Sequence, residues 1–205
     1  MADFRLILAT GNAHKVDELF AILGPLLPNL ARQEIATLRD FTVADPVEDE
    51  VSFAGNALLK ARALAQATGL PCVADDSGIA VDVLGGAPGI FSARWAGRHG
   101  DDQANLQLLL AQLADIKPEH RGAAFVCAAA LVDPVSGFET VEIGEMRGSL
   151  TYAPRGENGF GYDPIFVPSG YSQTTAELDP AAKNAISHRG KAFTSLAPHL
   201  IKLLS

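Results

Sequence analysis

The apolar and polar positions along this 205-residue chain change period several times, and each change marks an element. Phe4-Arg5-Leu6-Ile7-Leu8-Ala9 is a short, nearly continuous apolar run and predicts a buried strand. Thr10-Gly11-Asn12 is turn chemistry. From Ala13 the apolar spacing becomes helical through Val16, Leu19, Phe20 and Leu23, and Gly24-Pro25 is expected to stop that helix. A second strand is expected near Glu34-Ile35-Ala36, followed by an acidic, proline-containing loop at 44–50. Ser52 reads as the cap of an Ala- and Leu-rich helix from Phe53 to Ala67 that ends before Gly69-Leu70-Pro71. Cys72-Val73-Ala74 predicts a strand ending at Asp75-Asp76-Ser77-Gly78, and Gly85 to Gly89 a loop.

Asp101 to Leu113 has the spacing of an amphipathic helix. From Gly122 to Leu150 the pattern is β-like, with a hairpin turn expected at Asp133-Pro134-Val135-Ser136-Gly137. A second glycine-rich loop, Gly156 to Asp163, precedes a short strand at Pro164 to Val167. Helices are expected from Pro180 to Ala185 and from Lys191 to Leu204. Strands and helices alternate first and strands then cluster, which predicts an α/β fold on a mixed sheet with polar loops meeting in a cleft.

Composition narrows this little: 48% of residues are apolar and 20% charged, the balance of an ordinary globular protein, with no repeat or linker to mark an internal boundary. The only cysteines, Cys72 and Cys127, lie in apolar runs and are expected as buried thiols, not as a disulfide or a zinc site. The apolar run at the N-terminus is too short for a signal peptide or a membrane span, so a cytoplasmic protein is expected. A formal charge of -8 argues against nonspecific nucleic-acid binding. It leaves a triphosphate open, because a metal and a few local cations can outweigh a distant net charge.

Five segments carry candidate chemistry. Thr10-Gly11-Asn12-Ala13-His14-Lys15 lies where a strand hands over to a helix, and backbone N–H groups, the positive helix end and Lys15 there attract anions. The same residues also make an ordinary strand-to-helix turn, and their spacing is not that of a Walker A loop. Asp75-Asp76-Ser77-Gly78 puts adjacent carboxylates at the end of an apolar strand, where mutual repulsion calls for a cation such as magnesium. Its plainer reading is an Asp-Ser-Gly turn. Glu48-Asp49-Glu50 is either a solvated loop or a second source of metal ligands. Gly159 to Asp163 offers aromatics that stack on a base and a carboxylate for ring N–H groups, or else core-filling rings beneath a turn. Lys183, His188, Arg189 and Lys191 gather donors for an anion or a keto group, or open a solvated helix.

Taken together, LATGNAHKVDEL, FAGNALLKARALA, ADDSGIAVDVLGGAPGIFSARWAG, GFGYDPIFVP and AAKNAISHRGKAF resemble the inosine/xanthosine triphosphate pyrophosphatase family. They occur in the family's order from near residue 6 to residue 193, so one domain over 1–205 is expected. The resemblance implies two α/β lobes around a long mixed β-sheet with the nucleotide in the cleft, magnesium dependence and a homodimer. It implies that Thr10, Gly11, Asn12, Ala13, His14 and Lys15 hold the triphosphate, that Asp76 is base and metal ligand, and that Ser77 touches substrate. Phe160, Gly161, Tyr162 and Asp163 would line the base pocket, completed by Lys183, His188 and Arg189. The chain has Gly55-Asn56-Ala57 where the family commonly has Glu-Asn-Ala, and in the acidic loop Glu48 is the match for the metal ligand, with Glu50 as its alternative. A sensor that binds such a triphosphate without cleaving it would not require Glu48, Asp75 and Asp76 together; those carboxylates favour a hydrolase.

Overall fold

A computed structural model describes residues 4–10, 13–43 and 46–205, with the backbone alone at 13–15, 17 and 18. Six strands, β1 (Leu6–Leu8), β2 (Ile35–Thr37), β3 (Cys72–Val81), β4 (Gly122–Val132), β5 (Glu139–Leu150) and β6 (Phe166–Pro168), form one mixed sheet in the order β2-β1-β3-β4-β5-β6. β1 is parallel to β2 and β3, pairing Leu6 with Ile35 and Ile7 with Cys72; β5 is antiparallel to β6. Five helices are described: α1 (Ala13–Leu26), α2 (Phe53–Thr68), α3 (Asp102–Gln112), α4 (Pro180–Ile186) and α5 (His188–Leu204). The chain divides into two compact units. The first comprises Met1–Asp76, Cys127–Gly144 and Arg189–Ser205, the second Ser77–Val126 and Glu145–His188.

In the first unit the strands are apolar on both faces because each face is covered. Leu6, Leu8, Val73, Cys127, Ala129 and Leu131 pack with Leu19 and Leu23 of α1 and with Phe193, Leu196 and Leu200 of α5. The alternate set, Ile7, Cys72, Ala74, Ala128 and Ala130, packs on Ala57, Ala61, Leu64 and Ala65 of α2. Burial pushes the Cys72 thiol up to about 12, so it is an inert core group. α2 begins where Ser52 accepts the Gly55 N–H at 3.1 Å and ends at Gly69, whose φ of 75° suits glycine. The β4–β5 turn falls where expected. Asp133 accepts the Val135 and Ser136 N–H groups at 3.1 and 3.2 Å, and Gly137 takes a φ of 73°. Burial opposes ionisation of Asp133, but the Ser136 hydroxyl and those two amides outweigh it and hold the carboxyl below its usual range.

Three expectations need correction. α1 runs through Gly24-Pro25 to Leu26, because a proline in the last turn costs only one hydrogen bond and Leu27 N–H still reaches the Leu23 carbonyl at 2.9 Å. α5 starts at His188, three residues before the expected Lys191. β3 does not end at Asp75-Asp76-Ser77-Gly78 but runs through it to Val81, so this stretch is strand and not turn. In the second unit the glycine-rich segment holds it extended. Ser92, in the 310 turn Gly89–Arg94, accepts the Ile79 N–H at 2.9 Å and donates to the Gly89 carbonyl at 2.6 Å. A Cβ on Gly78 would collide with Ser92 and stand 2.6 Å from the Gly89 oxygen. The core of this unit joins Ile79, Val81, Leu106, Leu109, Phe125, Ile165 and Phe166.

Candidate functional site

The extension of β3 changes the meaning of its paired aspartates. Successive side chains on a strand point to opposite faces. Asp75 follows Val73 onto the α5 face and pairs with Arg189 Nε at 3.3 Å; both side chains are almost wholly buried. Asp76 follows Ala74 onto the α2 face, where Asn56 Nδ2 donates to its Oδ2 at 3.2 Å and Lys60 Nζ lies 3.5 Å from its Oδ1. The two carboxylates therefore have different nearest partners, although the charge of both reaches Lys60.

The carboxylate that does share a cation with Asp76 comes from the acidic loop. Glu48 Oε1 lies 3.0 Å from the same Lys60 Nζ. Burial works against the Lys60 ammonium, but the attraction of Asp76, Asp75 and Glu48 outweighs it and raises the lysine above its ordinary value. Glu50, the alternative ligand, instead rests its side chain against Gly55 and gives its backbone N–H to Asn56 Oδ1 at 3.1 Å. Two hard oxygen donors converging on one positive charge suit magnesium, which binds through one or two carboxylates alongside substrate phosphates. Among the described residues no cluster of three or more Asp, Glu, His or Cys offers a closed cage.

Lys60 and Asn56 were not singled out in the sequence. The signal was there: they lie four residues apart, hence on one helical face. That face is otherwise alanine and leucine, so a polar residue on it needs a partner. Of the proposed triphosphate loop, Thr10 is buried after β1 and Ala13 opens α1, but Gly11 and Asn12 and the side chains of Ala13, His14 and Lys15 lie outside the described residues.

The second unit holds the other candidate cluster. Asp163 Oδ2 accepts from Lys183 Nζ at 2.7 Å and from the Phe160 N–H at 2.9 Å, and its Oδ1 accepts from Thr175 Oγ1 at 2.8 Å. The Lys183 ammonium also lies 5.4 Å from the centre of the Phe160 ring, within cation–π range. Asp163 is thus the anchor of Lys183 and of the loop. Tyr162 is buried, its hydroxyl donates to the Ser92 carbonyl at 2.8 Å, and burial with the nearby Asp102 charge raises its pKa. Its ring fills core, while Phe160 and Gly161 are only half-buried. His188 is buried and stacked on Phe125, ring centres 5.0 Å apart, and Ser77 is half-buried on β3. Arg189, the first residue of its segment in the first unit, pairs with Asp75. Thr175 was not anticipated, since a lone threonine carries no spacing signal.

Comparison with known proteins adds an independent observation. The model of the Ham1 family matches residues 6–199. A dITP/XTP pyrophosphatase of Streptomyces coelicolor is 61% identical over 200 residues, covering 98% of each chain. The crystal structure of a nucleoside-triphosphatase / dITP/XTP pyrophosphatase from Mycobacterium abscessus superposes with a TM-score of 0.78 at 50% identity, covering 95% of this chain and 100% of that one. A HAM1 protein from Coxiella burnetii superposes at 0.85 with 40% identity, covering 97% and 99%.

Proposed function

The chain belongs to the Ham1 family, and from that footing we propose that it hydrolyses the non-canonical purine triphosphates ITP, dITP and XTP to the monophosphate and pyrophosphate. It is a hydrolase of phosphoric anhydride bonds. The observation that carries the reading is the convergence of Glu48 and Asp76 on one cation. A sensor that only held the nucleotide would gain nothing from two carboxylates brought so close.

The residues divide the work by chemistry. Glu48 and Asp76 would hold magnesium, which when bound neutralises charge on the phosphate oxygens and on the departing pyrophosphate. Lys60 adds a fixed positive charge at the same carboxylates, and Thr10 to Lys15 supply backbone N–H groups and the helix end for phosphate oxygens. Asp76 accepts the proton of the water that attacks the α-phosphorus. Asp75 acts from the other strand face through Arg189. No covalent intermediate is required, and both cysteines are buried. The setting proposed is the cytoplasm, where the nucleotide pool is; among the described residues no helix is long and apolar enough to cross a membrane.

Selection of the base is assigned to Lys183, with Phe160 and His188 as flat partners and Ser77 as a further substrate contact. An ammonium carries three donors and Asp163 takes one, so Lys183 suits a 6-oxo group, which only accepts. Adenine presents an amino group there, and donor would face donor. A site built this way rejects the mismatched analogue by roughly 10⁴–10⁵-fold in the best cases. The test is kcat/KM for inosine, xanthosine, guanosine and adenosine triphosphates at fixed magnesium. Inosine and xanthosine triphosphates are expected to lead by orders of magnitude over adenosine triphosphate, with guanosine triphosphate discriminated less. Equal values for inosine and adenosine triphosphates would defeat the reading.

The protein is further proposed to act as a homodimer. The segment from Leu84 to Trp95 is proposed to contribute, with its Phe91 ring 49% exposed. Sedimentation should give twice the mass of the 21.5 kDa chain at micromolar concentration; a monomer would contradict this.

A further inference from the structure

Asn56 is wholly buried on the face of α2 that otherwise carries Ala57, Ala61, Leu64 and Ala65. A side-chain amide is tolerated there only if its donor and acceptor are both used. Its Oδ1 accepts the Glu50 backbone N–H and its Nδ2 donates to Asp76 Oδ2. The orientation is fixed chemically, since an N–H needs the amide oxygen and a carboxylate needs the amide nitrogen. One side chain thus ties the loop that carries Glu48 to the strand that carries Asp76.

Gly55 makes an independent contribution. A Cβ at this position would stand 2.8 Å from the Glu50 Cβ and 3.1 Å from its Cγ. The missing side chain is what lets the acidic loop lie against the first turn of α2. One turn further along the same face, Lys60 receives both carboxylates.

We propose that Asn56, with Gly55 beside it, is the positioning residue that brings Glu48 and Asp76 to a common cation. It touches neither substrate nor metal; it sets where the two ligands stand. The inference rests on the reading of Glu48 and Asp76 as the magnesium site, and its test separates the two. Mn²⁺ is titrated into the nucleotide-free protein and the free ion followed by electron paramagnetic resonance, with thermal unfolding recorded for each variant. The wild type is expected to bind the ion and Asp76→Asn to lose it. Asn56→Ala should weaken binding about 10–100-fold, the usual effect of removing the support of a metal ligand. Gly55→Ala should also weaken it, with little change of melting temperature, because the helix propensity gained by alanine offsets the displacement of Glu50. A merely structural Asn56 would lower the melting temperature and leave the Mn²⁺ affinity untouched, and that result overturns the proposal. Should Asn56→Ala fail to fold, wild-type affinity in Gly55→Ala overturns it alone. No Mn²⁺ binding by the wild type would remove the metal-site reading and this inference with it, whereas binding lost in Asp76→Asn but normal in Asn56→Ala and Gly55→Ala removes only the positioning role.

Discussion

Adjacent aspartates in an apolar run are a warning of repulsion, and the remedy inferred from sequence was a shared metal. The strand separates the pair, sending Asp75 to Arg189 and Asp76 to Asn56 and Lys60. Composition showed that the charges needed partners but could not show which face each would take. That depends on register, and one residue of register exchanges the faces. Glu48 and Asp76 were legible as candidate ligands, and both lie beside Lys60. Lys60 and Asn56 were passed over despite their shared helical face, because a lysine on an alanine-rich helix is normally solvated and only the packed structure buries its stem. If Asp76 is base and ligand, Asp76→Asn removes nearly all turnover while the fold persists, with general-base loss alone worth ~10²–10⁴-fold. Glu48→Gln should raise the magnesium concentration needed for half-maximal rate. Steady-state kinetics over a magnesium series checks both, and near-normal turnover of Asp76→Asn at saturating magnesium would reassign the base.

The elements best read from sequence were those whose ends carry local chemistry. Ser52 and Gly69 delimit α2, Asp101 caps α3 by accepting the Ala104 N–H at 3.1 Å, and Asp133 to Gly137 turn the chain between β4 and β5. β3 was cut short because Asp, Ser and Gly favour turns when nothing distant holds them. Here the Ser92 hydroxyl bonds the Ile79 backbone, and Gly78 leaves room for it. Sequence alone cannot weigh a local preference against a contact made thirteen residues away. Gly78→Ala tests that contact. The added methyl group must displace Ser92, so the variant should lose about 1–3 kcal/mol in urea unfolding, the usual cost of overpacking. An unchanged midpoint would mean that Ser92 does not lie over Gly78.

For the whole molecule, the order of motifs was more informative than any one of them. Each segment alone admitted a plain structural explanation, and for Tyr162 core filling is what the structure displays. The succession of five segments pointed to a family, and the match over residues 6–199 bears that out. The mixed six-stranded sheet was legible as a class, but its strand order was not, because pairing is set by long-range packing. What neither fold nor family membership decides by itself is which phosphorus the water attacks. Hydrolysis of inosine triphosphate in ¹⁸O-labelled water, with the products separated by mass spectrometry, answers this directly. Attack at the α-phosphorus places the heavy oxygen on inosine monophosphate and leaves pyrophosphate unlabelled. Label in pyrophosphate, or the release of labelled orthophosphate with inosine diphosphate, would contradict the role given to Glu48 and Asp76.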